Sequence, residues 1–236
     1  MGGFPTTRAS AILGLHSPDP SVRARSLGQL TRIYWRPVYK HVRLRWRKTP
    51  DEAQEVAQEF FLHSIDAGTF QAYEPGRALF RTFLRVCLDR FVVDLARRKL
   101  SKKRGQGIVP VSLDVETLES EIRRDGPDAS DPERLFEEEW VKSLVAIAVE
   151  SLRVACNEKG KEEHFRVFER WYLGTRNDST YATIAEELHL SVSNVMNRLA
   201  YARREFRAIV LEVLRDLTSS EQELRAEAQT VLGIEL

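Results

Sequence analysis

The chain has 236 residues, 42% of them hydrophobic and 30% charged, the composition of a globular protein able to bury a core and not of a disordered one. No apolar run approaches the roughly 18 residues of a membrane span, and no signal-peptide pattern opens the chain. The net charge of +1 hides a segregation: residues 1–104 carry 20 Lys and Arg against 9 Asp and Glu (+11), residues 105–139 carry 3 against 11 (−8), and residues 140–236 carry 13 against 15 (−2). A basic first half fits a polyanionic partner, and fits equally an ordinary solvated basic surface.

Cys87 and Cys156 each sit in an apolar helical stretch, so no disulfide framework is expected and a reducing cytoplasm is the natural compartment. His16, His41, His63, His164 and His189 have no Cys or His partner at metal-ligand spacing. No metal and no cofactor is implied. Met1-Gly2 with Thr6 fits the short myristoylation pattern, which also recurs by chance.

Nearly every periodic segment has helical spacing and none alternates as a strand would, which predicts an all-α fold. Residues 20–48 read as one or two helices with Leu27, Leu30, Ile33, Tyr34, Val38, Val42 and Trp46 on the apolar side. Thr49-Pro50 is a start signal for a helix from Asp51 to about Ile65. Helical geometry puts Glu52, Glu55 and Glu59 within about 60° of one another, while Ala53, Val56 and Phe60 point elsewhere. That acidic stripe is either a docking face for a basic helical partner or a solvated face. Phe70 to Gly76, with Tyr73 and Pro75, reads as a loop.

A long helix from about Leu79 to Leu100 mixes Phe80, Phe83 and Phe91 with Arg81, Arg85, Arg90, Arg97 and Arg98, and Lys99, Lys102, Lys103 and Arg104 extend the charge past it. Arginines bind phosphates and exposed aromatics stack on unpaired bases, a combination suited to melted DNA. At least two of the three phenylalanines are expected in the core instead.

Residues 105–132 change character. Gly105, Gly107, Pro110, Gly126, Pro127 and Pro132 punctuate an acidic stretch without aromatics, the expected domain boundary and a flexible linker of about 28 residues. Helices resume near Pro132 and run to about Leu217, with breaks near 157–161 and 174–179. The tail, 218–236, can form a short amphipathic helix containing Leu224.

The segment from Tyr181 to Ala200 has helix-turn-helix spacing. Ile184, Ala185 and Leu188 face inward on the first helix, Leu190 fills the turn, and Ser191 or Ser193 caps the second helix. There Val195, Leu199, Ala202 and Phe206 make one inner stripe, leaving Ser193, Asn194, Asn197, Arg198, Tyr201 and Arg204 outside. In such a motif the second helix enters the major groove, and Asn and Arg pair with adenine and guanine edges. The same spacing fits an ordinary helical hairpin. His189 stands where the motif usually has the glycine of a left-handed turn, a conformation His tolerates better than branched residues do.

Taken together, the chain resembles the extracytoplasmic-function (ECF) branch of the sigma-70 family. Glu52-Ala-Gln-Glu-Val-Ala-Gln-Glu-Phe-Phe61 resembles the polymerase-binding helix of that family, Phe80-Arg-Thr-Phe-Leu84 and Asp94-Leu-Ala-Arg-Arg98 its strand-opening region, and Tyr181 to Arg204 the domain that reads the upstream promoter element. Thr6-Thr-Arg8, Tyr34-Trp-Arg-Pro-Val-Tyr39, Gln58-Glu-Phe-Phe61, Ser112-Leu-Asp114 and Pro132-Glu-Arg-Leu-Phe136 resemble a planctomycete subgroup. The resemblance implies two helical domains. Residues 1–104 would be the region 2 bundle, 105–132 the linker, 133–217 the region 4 helix-turn-helix domain, and 218–236 a tail.

By the same resemblance, Glu52, Glu55, Gln58 and Glu59 would bind core RNA polymerase. Arg77, Phe80, Arg81, Arg85, Arg90, Arg97 and Arg98 would hold the melted minus-ten element, and Ser193, Asn194, Asn197, Arg198, Tyr201 and Arg204 the minus-thirty-five duplex. The implied partners are the beta-prime clamp and beta flap of the polymerase and promoter DNA, with an anti-sigma factor or kinase-linked regulator left open. Gln54 stands where the family usually has an acid, and Met196 and Tyr201 where it commonly has bases, so the polymerase and DNA contacts are expected to differ there.

A stand-alone helix-turn-helix regulator is the alternative, but it leaves the acidic helix and basic-aromatic half unexplained. A helical enzyme is disfavoured, since no Ser/His/Asp or Cys/His set, phosphate loop or HExxH motif is present. Thr49 is either an ordinary helix start or a phosphorylation switch at a helix N-terminus.

Overall fold

The helices that start at Pro20, Pro50, Pro132, Tyr181, Val192 and Glu221 each begin on a side chain that accepts from the helix's own first turn. In the computed structural model, which describes residues 11–74, 76–101, 115–125, 131–174 and 180–233, α1 spans Ala11–Gly14 and α2 spans Pro20–Arg45, capped by Asp19. Helix α3, Pro50–Asp66, starts on a capping box between Thr49 and Glu52, and α4 spans Phe80–Ser101. Helix α5, Val115–Asp125, is followed by α6, Pro132–Glu158, capped by Asp131. Then come α7, Glu162–Tyr172; α8, Tyr181–Glu187; α9, Val192–Asp216, capped by Ser191; and α10, Glu221–Leu232, capped by Ser220. Proline at the first position of α2, α3 and α6 is preorganised for the helix and loses no intrahelical donor. No strand occurs among the described residues, so the fold is all-α.

The hydrophobic core is divided differently from the composition. One cluster runs from Ile12 and the apolar face of α2 through Phe60, Phe80, Leu84 and Leu88, and continues into Phe136, Trp140 and Leu144 of α6, Val210 and Leu214 of α9, and Leu224 of α10. A second, smaller cluster around Leu152, Phe168, Ile184, Val195 and Leu199 belongs to the helix-turn-helix end. Helix α6, about 40 Å long at 1.5 Å per residue, therefore connects both clusters. Its first half lies along α2.

Part of the acidic stretch is helical and packed. Helix α5 docks on α2 with Leu118 and Ile122 buried, a pair one turn apart. Glu119 accepts from the Tyr39 hydroxyl at 2.6 Å and from Arg43 Nε at 2.9 Å, and Glu121 pairs with Lys40 Nζ at 2.7 Å and with Arg36. Acidic residues expected to belong to a flexible linker thus supply the partners of a basic helix face. Met1-Gly2 and Thr6-Thr-Arg8, Lys102, Lys103 and Arg104, and Ser112-Leu-Asp114 lie outside the described residues. No described helix is long and apolar enough to cross a membrane.

Candidate polymerase and nucleic-acid interfaces

On α3, the buried side carries Ala53, Val56, Ala57, Phe60 and Phe61. Glu55 is exposed, while Glu52, Gln58 and Glu59 are half-buried along the outer side. The capping box turns the Glu52 carboxylate back to accept from Thr49 N at 3.1 Å, within 3.7 Å of Lys48 Nζ. One turn on, Leu62 and Ile65 are also exposed. These two apolar residues were not singled out in the sequence, because they continue a hydrophobic run that reads as core. An acidic stripe ending in apolar side chains suits a basic amphipathic partner.

The strand-opening residues on and just before α4 fall into two groups. Arg90, midway along α4, and Arg97 and Arg98, near its C-terminal end, are exposed, and Arg97 lies 3.4 Å from Asp94. Arg90 and Arg98 rim a cavity of about 180 Å³ that is also lined by Phe60, His63, Cys87 and Phe91, with the His63 ring tilted on Phe91 at 5.4 Å. Arg45 and Arg47 at the end of α2 are exposed as well, and Trp46 between them donates to Asp89 of α4 at 2.9 Å. They were missed because their helix reads as a core element.

The N-terminal group does not meet the expectation of a DNA face in this conformation. Phe80 is 3% exposed and packs edge-on against Tyr34, Phe70 and Tyr73. Arg81 is 5% exposed, lies over the Trp140 ring at 5.0 Å, and is ion-paired with Glu227 and, at 3.4 Å, with Glu137. Arg85 pairs with Glu133 at 2.5 Å, whereas Arg77 is exposed beside Glu74 at 2.8 Å. Burial pushes the Glu227 carboxyl above its ordinary value, and the Arg81 charge opposes that only in part. Burial and the bond to Glu223 push the Tyr73 hydroxyl far up, so it stays a proton donor.

The helix-turn-helix forms as the spacing predicts. Thr180 and Thr183 make the capping box of α8, His189 takes the left-handed turn at φ 53°, and Ser191 accepts from Asn194 N at 3.1 Å. Val195, Leu199 and Ala202 are fully buried, with Ile184 and Ala185 beneath them. Ser193, Asn194, Asn197 and Arg204 are exposed. Arg198 and Tyr201 instead turn back toward the start of α7. Arg198 reaches Glu163 at 2.5 Å, and Tyr201 lies beneath Lys161 at 3.7 Å and against His164 at 4.9 Å. Burial, then the charges of Lys161 and Arg198, hold His164 below its ordinary value.

Val192 and Met196 are exposed beside the polar residues of α9. Arg203, also not singled out in the sequence, bonds the Tyr172 hydroxyl at 2.7 Å and covers Trp171.

No individually curated protein matches the chain. The family model for ECF sigma factors matches residues 40–211, which runs from the second half of α2 through α3, α4 and the helix-turn-helix into α9 and leaves α10 outside. With most of its length matched, from the acidic helix to the recognition helix, the chain belongs to the ECF sigma factor family.

Proposed function

We propose that this family member, whose role is in transcription initiation, binds core RNA polymerase through α3 and promoter DNA through α4 and α9, and catalyses no reaction itself. Glu52, Glu55, Gln58 and Glu59 would engage the beta-prime clamp, and the helix-turn-helix end the beta flap and the minus-thirty-five duplex. The exposed Arg90, Arg97 and Arg98 beside an aromatic-lined cavity support capture of an unpaired minus-ten strand. The single observation that carries the reading is α9: Ser193, Asn194 and Asn197 face outward at the N-terminal end of a recognition helix whose opposite face is buried. Acting on cytoplasmic polymerase, the protein would work in the cytoplasm. The segments Tyr34–Tyr39, Gln58–Phe61 and Pro132–Phe136 support a place in the planctomycete-like subgroup.

The test is a pull-down with core polymerase followed by run-off transcription from a promoter library. Binding and promoter-specific initiation are expected, with Glu55→Lys abolishing core binding while duplex binding survives. Duplex binding with no core binding would identify a stand-alone regulator and overturn the reading, as would binding to neither.

A further inference from the structure

Helix α10 lies beyond the residues that the family model covers, and its buried face carries two carboxylates. Glu223, Leu224, Glu227 and Ala228 form one stripe against the core, with the two carboxylates at 8% and 4% exposure. Buried carboxylates are costly unless paired, so their partners define what the helix is built to hold. Both partners lie on or next to α4. The Tyr73 hydroxyl bonds Glu223, which Ser219 fixes from the other side with N at 2.7 Å and Oγ at 2.6 Å. Arg81 pairs with Glu227.

From α6, Glu137 reaches the same Arg81 at 3.4 Å and Glu133 reaches Arg85 at 2.5 Å. Four carboxylates of the C-terminal half thus stand over one tyrosine and two arginines. Tyr73 itself packs on Phe80 at 5.1 Å and Phe83 at 5.4 Å. Anionic oxygens at two arginines, beside clustered aromatic rings, are what a single DNA strand would supply there.

We infer that α10 is an intramolecular clasp, whose Glu223 and Glu227 occupy the Tyr73–Arg81 part of the strand-opening surface and hold the free protein closed to single-stranded DNA. This rests on the proposed role of α4. Apparent affinity for the strand is then reduced by the fraction of molecules that are closed. Releasing the clasp raises it with no new contact made.

The experiment uses the full chain without polymerase. A short fluorescein-labelled single-stranded oligonucleotide is titrated against the native protein, Glu223→Ala/Glu227→Ala, the same double variant with Arg81→Ala, and Tyr73→Phe, with circular dichroism confirming helical content. Hydrogen exchange of residues 221–232 reports the clasp directly. The double variant is expected to exchange faster there and to bind about tenfold more tightly, a gain that Arg81→Ala abolishes. Tyr73→Phe, which keeps the ring and loses only the donor to Glu223, gives a smaller gain and covers the case in which the double variant does not fold.

Faster exchange with unchanged affinity, or unchanged exchange, overturns the clasp. In either case, normal core binding and initiation by the native protein would leave the sigma-factor reading intact, whereas their loss would sink that reading instead.

Discussion

Arg36 on α2 and Glu139 on α6, 103 positions apart, are joined Nε to Oε2 at 2.5 Å, and Glu139 is almost wholly buried. The same carboxylate takes Lys40 at 3.1 Å and Lys142 at 2.7 Å, while Glu121 of α5 closes on Arg36 and Lys40 from above. Three helices therefore share one charge network across the seam between the two halves. Sequence-adjacent helices alone would not produce such a seam.

The first prediction concerns that network. Glu139→Ala leaves Lys40, itself 3% exposed, with Glu121 as its remaining carboxylate. Breaking a buried pair by removing one partner costs about 3–5 kcal/mol, and the retained Glu121 places the expected loss near about 3 kcal/mol in urea unfolding. Arg153→Ala, which removes an exposed pair within α6, is the control and leaves the unfolding midpoint unchanged. Equal midpoints for both variants would mean the network contributes nothing to the seam.

Thr49 carries the second prediction. It is exposed, and its hydroxyl accepts from Glu52 N at 3.3 Å while Glu52 returns a bond to Thr49 N at 3.1 Å. Thr49→Ala removes the cap and costs about 1 kcal/mol, whereas Thr49→Ser keeps it and is near neutral. The alanine variant also frays the turn that presents Glu52, so its core-polymerase affinity falls and that of the serine variant does not. Thermal unfolding and a pull-down of both variants decide it.

Legibility in the sequence followed locality. Helix starts at Thr49-Pro50 and Pro132, the left-handed His189 and the cap at Ser191 depend on residues within a few positions, and the pattern gave them. Helix α5 was hidden because glycine, proline and acid dominate its surroundings, although Leu118 and Ile122 are spaced one turn apart. A core place for phenylalanines of α4 was expected, and Phe80 takes one, but burial of Arg81 could not be read at all, because Trp140, Glu137 and Glu227 that cover it belong to α6 and α10. An arginine between phenylalanines looks the same in sequence whether DNA or a carboxylate faces it.

The third prediction is a pair of opposite pH responses. At Glu139, burial works to raise the carboxyl, but the bond from Lys142 and the charges of Arg36 and Lys40 outweigh it and hold it below the ordinary 4.5. Burial likewise works to raise Glu121, yet bonds from Lys40 and Arg36 keep it low, and bonds from Tyr39 and Arg43 do the same for Glu119. A depressed carboxyl stabilises above its unfolded pKa, and that stability is lost as pH falls through the folded value. Docking of α5 is therefore firm at neutral pH and weakens below about 4.5.

Glu227 has the opposite sign. Facing Arg81, Glu137 and Glu223, it binds its proton more readily when docked, so the seating of α10 tightens as pH falls from the raised value toward the ordinary 4.5. Hydrogen exchange corrected for intrinsic rates, followed from neutral pH to about 4, should show protection of 221–232 rising before protection of 115–125 falls. Parallel loss in both segments would contradict the assigned signs.

The last prediction separates two neighbours on α9. Asn197 is exposed, so Asn197→Ala should cost about 1–3 kcal/mol of upstream-element affinity if its amide meets a base edge. Arg198 is held at 2.5 Å by Glu163 and its side chain is only 21% exposed. Arg198→Ala is accordingly expected to cost less than Asn197→Ala, and Glu163→Gln, which unties Arg198, to strengthen duplex binding and steepen its salt dependence by about one phosphate contact. Arg204, exposed on the same helix, gives the converse: Arg204→Ala weakens binding to all sequences alike and flattens the salt slope by a similar step. Fluorescence anisotropy with duplexes that carry and lack the upstream element, at several salt concentrations, measures each term. A larger loss at Arg198 than at Asn197 would mean that the ion pair with Glu163 opens on binding and that the recognition face extends round to α7.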